Sequence, residues 1–481
     1  MEGLPEEILD LMIHQLSEKY SEDAWAHFHD VNTAPQADVY VLDMHQARLV
    51  CRTWNRLITK RLFNTVTLYY SADAAARNFE SWNKLVTSKA IRGAAQRVVI
   101  QTYSVGIKTN NNHKKWKFWS EEGQWLAFTA SIKRISELEH LHSVEVRFPK
   151  SSPDWMDIGD YNLDQEAREA CEATLRSVLK ALRERETRQS HHAGPGVSAI
   201  RELKLENLQN SPLPSELTDG LFNGIEQLHL LICHEHAEID PGNTMTVELK
   251  ERTEFEPYLQ YSLLPPTAAQ LVELSLGARR EWGLALGIFD GSNLNFPQLK
   301  TLSLSNYLIG HNTQFDWVLR QKTLKCLRLH SCHIITHMWI PLGTKEQLGI
   351  NTEAWQKKSG ESFFGEGESF VFHKTWANIF DGIREGLLGL IEFNYSWETS
   401  TKESICLLDP TSGDNGWVSR YMAFDMGLLP NHFIPSQQFG YYPDFDEENP
   451  GIPSNRPKIA DESDRRALKA LIGATQRRRQ K

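Results

Sequence analysis

Leu299-Lys-Thr-Leu302-Ser-Leu304 and Leu324-Lys-Cys-Leu327-Arg-Leu329-His-Ser-Cys332-His-Ile334 are two copies of one pattern, apolar-x-x-apolar-x-apolar. The last two apolar positions alternate with polar ones, as a strand with one buried face requires. The same spacing recurs at Leu141, Val144 and Val146; Ile200, Leu203 and Leu205; Ile225, Leu228 and Leu230; and Leu271, Leu274 and Leu276. Leu388, Ile391 and Phe393 make a weaker seventh copy. The starts 200 to 225, 271 to 299 and 299 to 324 lie 25 to 28 residues apart, inside the range of short structural repeats. Other gaps are about twice as long and hold an insertion or a degenerate copy.

Between the strands lie candidate outer helices. Residues 121–139 carry Trp125, Phe128, Ile132 and Ile135 at helical spacing, and residues 164–185 carry Ala167, Cys171, Leu175, Val178 and Leu182. Their apolar faces are expected on the strand layer, because one repeat cannot bury its hydrophobic side alone. Before the array, a strand at 65–69, a helix at 72–88 and a strand at 97–100 are expected. The polar stretch 186–198, with Gly194-Pro195-Gly196, reads as a loop.

Two amphipathic segments open the chain. Leu4 to Leu16 begins with Pro5, suited to a first helical turn, and with Glu6 and Glu7, which favour the positive end of the helix dipole. Met44 to Phe63 carries Ala47, Val50, Cys51, Trp54, Leu57 and Ile58 on one face, with Leu49 outside it. Both have more apolar surface than one stripe, so each needs partners on two sides. Residues 17–41 separate them.

The order Leu4-Pro5-x-Glu7-Ile8-Leu9, Leu16, Ala47-Arg48-Leu49-Val50-Cys51-Arg52-x-Trp54-x-x-Leu57-Ile58 and Leu62-Phe63 resembles an F-box, the motif that docks on the Skp-type adaptor of cullin-RING ubiquitin ligases. The family usually joins the two helices by only a few residues, so 17–41 is an insertion. Cys233 and Cys332, each three residues after the last apolar position of its copy, with Ile334 following, are similar to the leucine-rich-repeat consensus.

The expected architecture is α/β: an F-box hairpin over 1–63, an irregular leucine-rich-repeat-like solenoid of short parallel strands and outer helices over 64–408, and a Pro-rich tail over 409–481. The tail's last helix, 461–476, is expected to pack on the solenoid. The resemblance implies a non-catalytic substrate-recognition subunit of a Skp-cullin-F-box ubiquitin ligase in the cytoplasm or nucleus. Leu4, Pro5, Ile8, Leu9, Leu49, Val50 and Trp54 would meet the adaptor, and the repeats would hold a target protein. The alternative is a leucine-rich interaction scaffold without ubiquitin transfer. For the target, Trp355, Phe363 and Phe364 in the long departure 335–380 are the candidates, since large aromatics are enriched at binding hot spots.

The rest of the sequence narrows the chemistry. A chain of 481 residues, 40% hydrophobic, can bury a large core, and a net charge of -10 argues against bulk attraction to nucleic acid or anionic membranes. No run of about 18 apolar residues occurs. Six scattered cysteines suit a reducing compartment. Cys233-His234-Glu235-His236 lacks a second ligand pair at zinc spacing, and no phosphate loop, nucleophile elbow or kinase signature is present. No cofactor or metal is therefore expected. Arg477-Arg478-Arg479 reads either as a basic signal or as cations complementing a helix end.

Overall fold

A computed structural model describes residues 8–9, 44, 46–69, 75–102, 126–148, 161–191, 197–213, 215–218, 220–233, 238–239, 245–246, 250–284, 288–341, 345, 352–353, 355–358, 367–398, 405–407, 417, 420–424, 431–432 and 459–480. The fold is mixed α/β with a mostly parallel sheet. Two compact units divide the chain: Met1–Leu208 with Ser215–Ile225, and Gln209–Pro214 with Glu226–Lys481. Among the described residues no helix is long and apolar enough to cross a membrane.

The first unit contains helix α1 (Arg52–Leu62), strand β1 (Thr65–Tyr69), α2 (Ala75–Thr87), β2 (Arg97–Gln101), α3 (Leu126–Lys133), β3 (Ser143–Arg147), α4 (Tyr161–His191) and β4 (Glu202–Gln209). The four strands pair in chain order, all parallel. Their registers stack Val66, Val98, Val144 and Leu203 in one buried row and Leu68, Ile100, Val146 and Leu205 in the next. α4 covers the layer with Cys171, Leu175, Val178 and Leu182, all buried at the expected spacing. It runs on to His191, beyond the expected stop at 185, because Arg183 to Gln189 are mostly strong helix formers and the glycines come only later. Buried Arg185 explains part of that extension. It donates to the main-chain oxygens of Ile135, Leu138, Leu141 and Ser198, and burial lowers its guanidinium to about 10.

The polar face of this sheet carries one buried carboxylate, Glu145, between Arg97 and Arg147. Burial alone would raise its pKa, but the two guanidinium groups overcome that and hold it at about 2.

The second unit contains β5 (Gln227–Cys233), β6 (Glu273–Trp282), β7 (Thr301–Ile309), β8 (Cys326–His330), β9 (His333–Pro341), β10 (Gly367–Val371), α5 (Trp376–Gly386), β11 (Glu392–Glu398), β12 (Ile405–Leu407), β13 (Tyr421–Phe424) and α6 (Asp461–Arg479). Strands β5, β6, β7, β8 and β11 pair in that order, all parallel, with β12 antiparallel on β11. Leu228, Leu274, Leu302, Leu327 and Phe393 form one buried row, and Leu230, Leu276, Leu304, Leu329 and Tyr395 another. Strand β9 leaves this layer. It pairs with the end of β7, lies antiparallel to β10 and parallel to β13, and so builds a lateral sheet from segments far apart in sequence.

The loops leaving the strands are stitched by three buried amides. Gln260 accepts from the N–H groups of Asp290 and Gly291. Gln314 accepts from Gly310 and His311 and donates to the oxygens of Gly283 and Phe289. Gln321 accepts from Phe296 and donates to Trp317 and Leu294. A second recurring device sits two residues after the last apolar position of the repeated pattern. Asn207, Asn306 and Ser331 there take positive φ of 58°, 55° and 46°. Asn207 donates its amide to Phe148 and Asn306 to Ala278, main-chain oxygens 59 and 28 residues away, and asparagine is among the residues that enter left-handed backbone most readily.

Two register expectations need correction. The seventh strand follows Leu390, Phe393 and Tyr395, all buried, rather than Leu388, Ile391 and Phe393; Leu388 is 72% exposed and Ile391 is also exposed. Tyrosine fills an inward position there, and the leucine at 388 lies in a turn. The segment Met44–Phe63 is not one helix: Met44, Gln46 and Ala47 are helical, a turn follows, and α1 begins only at Arg52.

Candidate protein-docking surface

At the turn the N–H groups of Leu49 and Val50 bond back only three residues, to Gln46 and Ala47, and Cys51 is fully extended at φ -162° and ψ 173°. The tight turn ends the first helical piece and swings Leu49 and Val50 away from the face that periodicity assigned to Val50. Leu49 is 85% exposed and Val50 55%. Beneath them Leu9, Met44, Trp54, Leu57 and Ile58 form a small buried cluster, with Ala47 and Leu62 packed against it. Ile8, one residue from buried Leu9, is exposed.

The expected adaptor residues therefore fall into two sets where they are described. Leu9 and Trp54 are inside its own core; Ile8, Leu49 and Val50 are surface. Leu4 and Pro5, like the insertion 17–41, lie outside the described residues. Residues 46–62 carry five cations, Arg48, Arg52, Arg56, Lys60 and Arg61, and no carboxylate. Arg48 is fixed by Asn55, whose side-chain oxygen accepts from Nε at 3.0 Å, and its guanidinium lies 5.8 Å from the centre of the Phe63 ring. Among the described residues the surface is thus an apolar patch with a basic surround, and Cys51 adds an exposed thiol.

The expected target-binding aromatics do not form a surface where they are described. Trp355 is buried, donates from Nε1 to the Gly310 oxygen at 2.6 Å and stacks on Phe372 at 5.3 Å. It belongs to the core beneath the lateral sheet, where the indole's single donor finds a main-chain acceptor. Phe363 and Phe364 lie outside the described residues. Trp376 is also core, with Nε1 donating to the Arg420 oxygen.

The other groups singled out in the sequence are structural where described. Cys233 and Cys332 are buried, and burial pushes the Cys332 thiol up to about 12. Among the described residues no three His, Cys, Asp or Glu side chains converge as a metal site would need. Arg478 donates to the oxygens of Arg384, Leu387 and Leu390, and so closes the end of α5.

Sequence reasoning missed a buried network that anchors α6. Asp464 accepts from the N–H of Ala377, from Arg420 Nε at 2.9 Å and from the Tyr421 hydroxyl at 2.8 Å. Arg420 is only 1% exposed and lies over the rings of Trp417 and Tyr421. Burial pushes the Asp464 carboxyl upward, against the pull of Arg420 and Tyr421. The only sequence signal was an arginine next to two aromatics, which is too common to select.

Comparison with protein-family models and with curated proteins finds no match to this chain.

Proposed function

We propose that the chain is a non-catalytic substrate-recognition subunit of a Skp-cullin-F-box type ubiquitin ligase, with residues 1–63 as its adaptor-docking element and a leucine-rich-repeat-like solenoid as its target-holding part. The observation that carries the reading is the exposed pair Leu49 and Val50 above a self-contained miniature core, within a stretch that resembles an F-box. A helix pair this small gains nothing from apolar side chains in water, whereas burying both against a partner contributes ~1.5–3 kcal/mol each. Ile8 would extend the patch. The basic surround fits an adaptor face rich in carboxylates, which steers encounter and makes the on-rate fall with salt. The solenoid reading is supported by strands that pair in chain order within each unit, by their continuous inward rows, and by the left-handed residue that recurs two positions after the last apolar residue of the pattern.

Replacing Leu49 and Val50 together by glutamate tests the docking element in the folded protein. Loss of ~3 kcal/mol would weaken adaptor binding more than a hundredfold, so co-purification with a Skp-type adaptor should vanish while circular dichroism is unchanged. Full retention of the adaptor by the folded double variant would falsify the assignment. Ubiquitin transfer is tested separately: deleting residues 1–63 should make a bound target accumulate in cells, and unchanged target turnover would leave only the scaffold reading.

A further inference from the structure

We propose that the turn 386–391, together with the basic end of α6, is a second docking surface, for an acidic protein segment carrying large apolar side chains. It uses none of the residues assigned to the adaptor. Its apolar part is Leu388, one of the most exposed large hydrophobic side chains described, and Ile391 beside it. Both are spared from the core because the inward row takes Leu390, Phe393 and Tyr395 instead.

Cations reach this turn from two directions. From the β7–β8 side, Lys322 donates to the Gly386 oxygen at 2.9 Å, and the main-chain oxygen of Lys325 accepts from the N–H groups of Ile391 and Glu392. From α6, Arg478 bonds the oxygens of Leu387 and Leu390. Arg477 and Arg479 flank it, both exposed. From Arg465 to Arg479 the helix has six cations and no carboxylate, in a chain of net charge -10. The acidic side chains close by are paired: Asp381 and Glu385 to Arg384, and Glu392, next to Ile391, to Arg328 at 3.3 Å.

The negative end of α5 is closed by Arg478 and Lys322; Arg477 and Arg479 lie in the last turn of α6, where cations complement the helix dipole, and both stay exposed. An apolar centre within a single-sign rim selects a partner of opposite charge. Protein fits better than the other polyanions. Among the described residues no exposed aromatic ring lies in the patch on which a nucleic-acid base could stack. Two aliphatic side chains are little apolar area for holding a membrane, and the acidic chain as a whole would be repelled from anionic lipid.

The test uses the full-length protein and a fluorescein-labelled peptide of repeated Asp-Leu-Glu triplets, with a repeated Asn-Leu-Gln peptide and phosphatidylserine vesicles alongside. Saturable binding of the acidic peptide is expected, falling ~tenfold on R477E with R479E and ~threefold on L388Q, and weakening as salt rises. Both variants should melt with the wild type, because the three side chains are exposed and Arg478 is kept. The proposal is overturned if the acidic peptide does not saturate, if the neutral peptide binds as well, if either variant binds like the wild type, or if only the vesicles bind.

Discussion

Helices α1 and α6 are both amphipathic and both rich in arginine, yet they treat their surplus side chains in opposite ways. Beside α1, Leu49 and Val50 stand in solvent above a cluster of five buried residues. α6 buries Ala467, Leu468, Leu471 and Ala474, plants Asp464 against Arg420, and uses Arg478 to close its neighbour. The difference separates two uses of one kind of element. In the reading proposed above, a helix whose apolar excess is satisfied within the chain serves the fold, and the exposed leucine and valine beside α1 serve a partner.

The largest effect expected from this contrast is at Asp464. Asp464→Ala removes a partner from a buried ion pair and leaves Arg420 with only the more distant Asp461, at 3.7 Å, which should cost ~3–5 kcal/mol, measured as a lower urea midpoint. A change below ~1 kcal/mol would mean that α6 is a surface helix and that the contrast fails. The next effect lies in the first unit, where a carboxylate is likewise satisfied internally. Glu145 has a folded pKa of about 2 against 4.5 for the free side chain, so the folded value is the depressed one. Its contribution, ~3 kcal/mol, is complete above about pH 4.5 and disappears as the pH falls toward 2. Glu145→Gln should flatten that part of the stability profile; an unchanged acid limb would place the acid sensitivity elsewhere. The smallest effect is expected where the contrast predicts the fold has least at stake. The paired Leu49 and Val50 glutamate variant should change stability by less than ~0.5 kcal/mol in the absence of adaptor, and a larger loss would show that these side chains support the hairpin itself.

Much of the sheet was legible because its signal is local and repeated. Leu299, Leu302 and Leu304 announce a strand with its inward alternation, and the same spacing located β3 to β8. The seventh strand was misread by two residues at its start, since Leu388 and Ile391 satisfy the spacing as well as Leu390 and Phe393 do, and only packing decides between them. The break at 48–51 escaped for a similar reason: Val50 and Cys51 continue the helical apolar face, and no glycine or proline marks the turn. The lateral sheet of β9, β10 and β13 was hidden because its pairings join residues 333–341, 367–371 and 421–424, without any repeat. Trp355 looked unaccompanied in sequence and found Phe372 and the Gly310 oxygen only in three dimensions. Asp464 drew no attention in the sequence, and its partner Arg420 is 44 residues away.

Gln260, Gln314 and Gln321 stitch the strand-exit loops with groups that carry no charge. An amide neither titrates in water nor responds to ionic strength, so these loops keep their bonds under conditions that dissolve the Glu145 pairs. Their weakness is slow chemistry in storage. Hydrolysis of the Gln314 amide would turn a donor that faces the oxygens of Gly283 and Phe289 into a buried carboxylate set against them, and an aged sample would lose this corner of the molecule without any change of buffer.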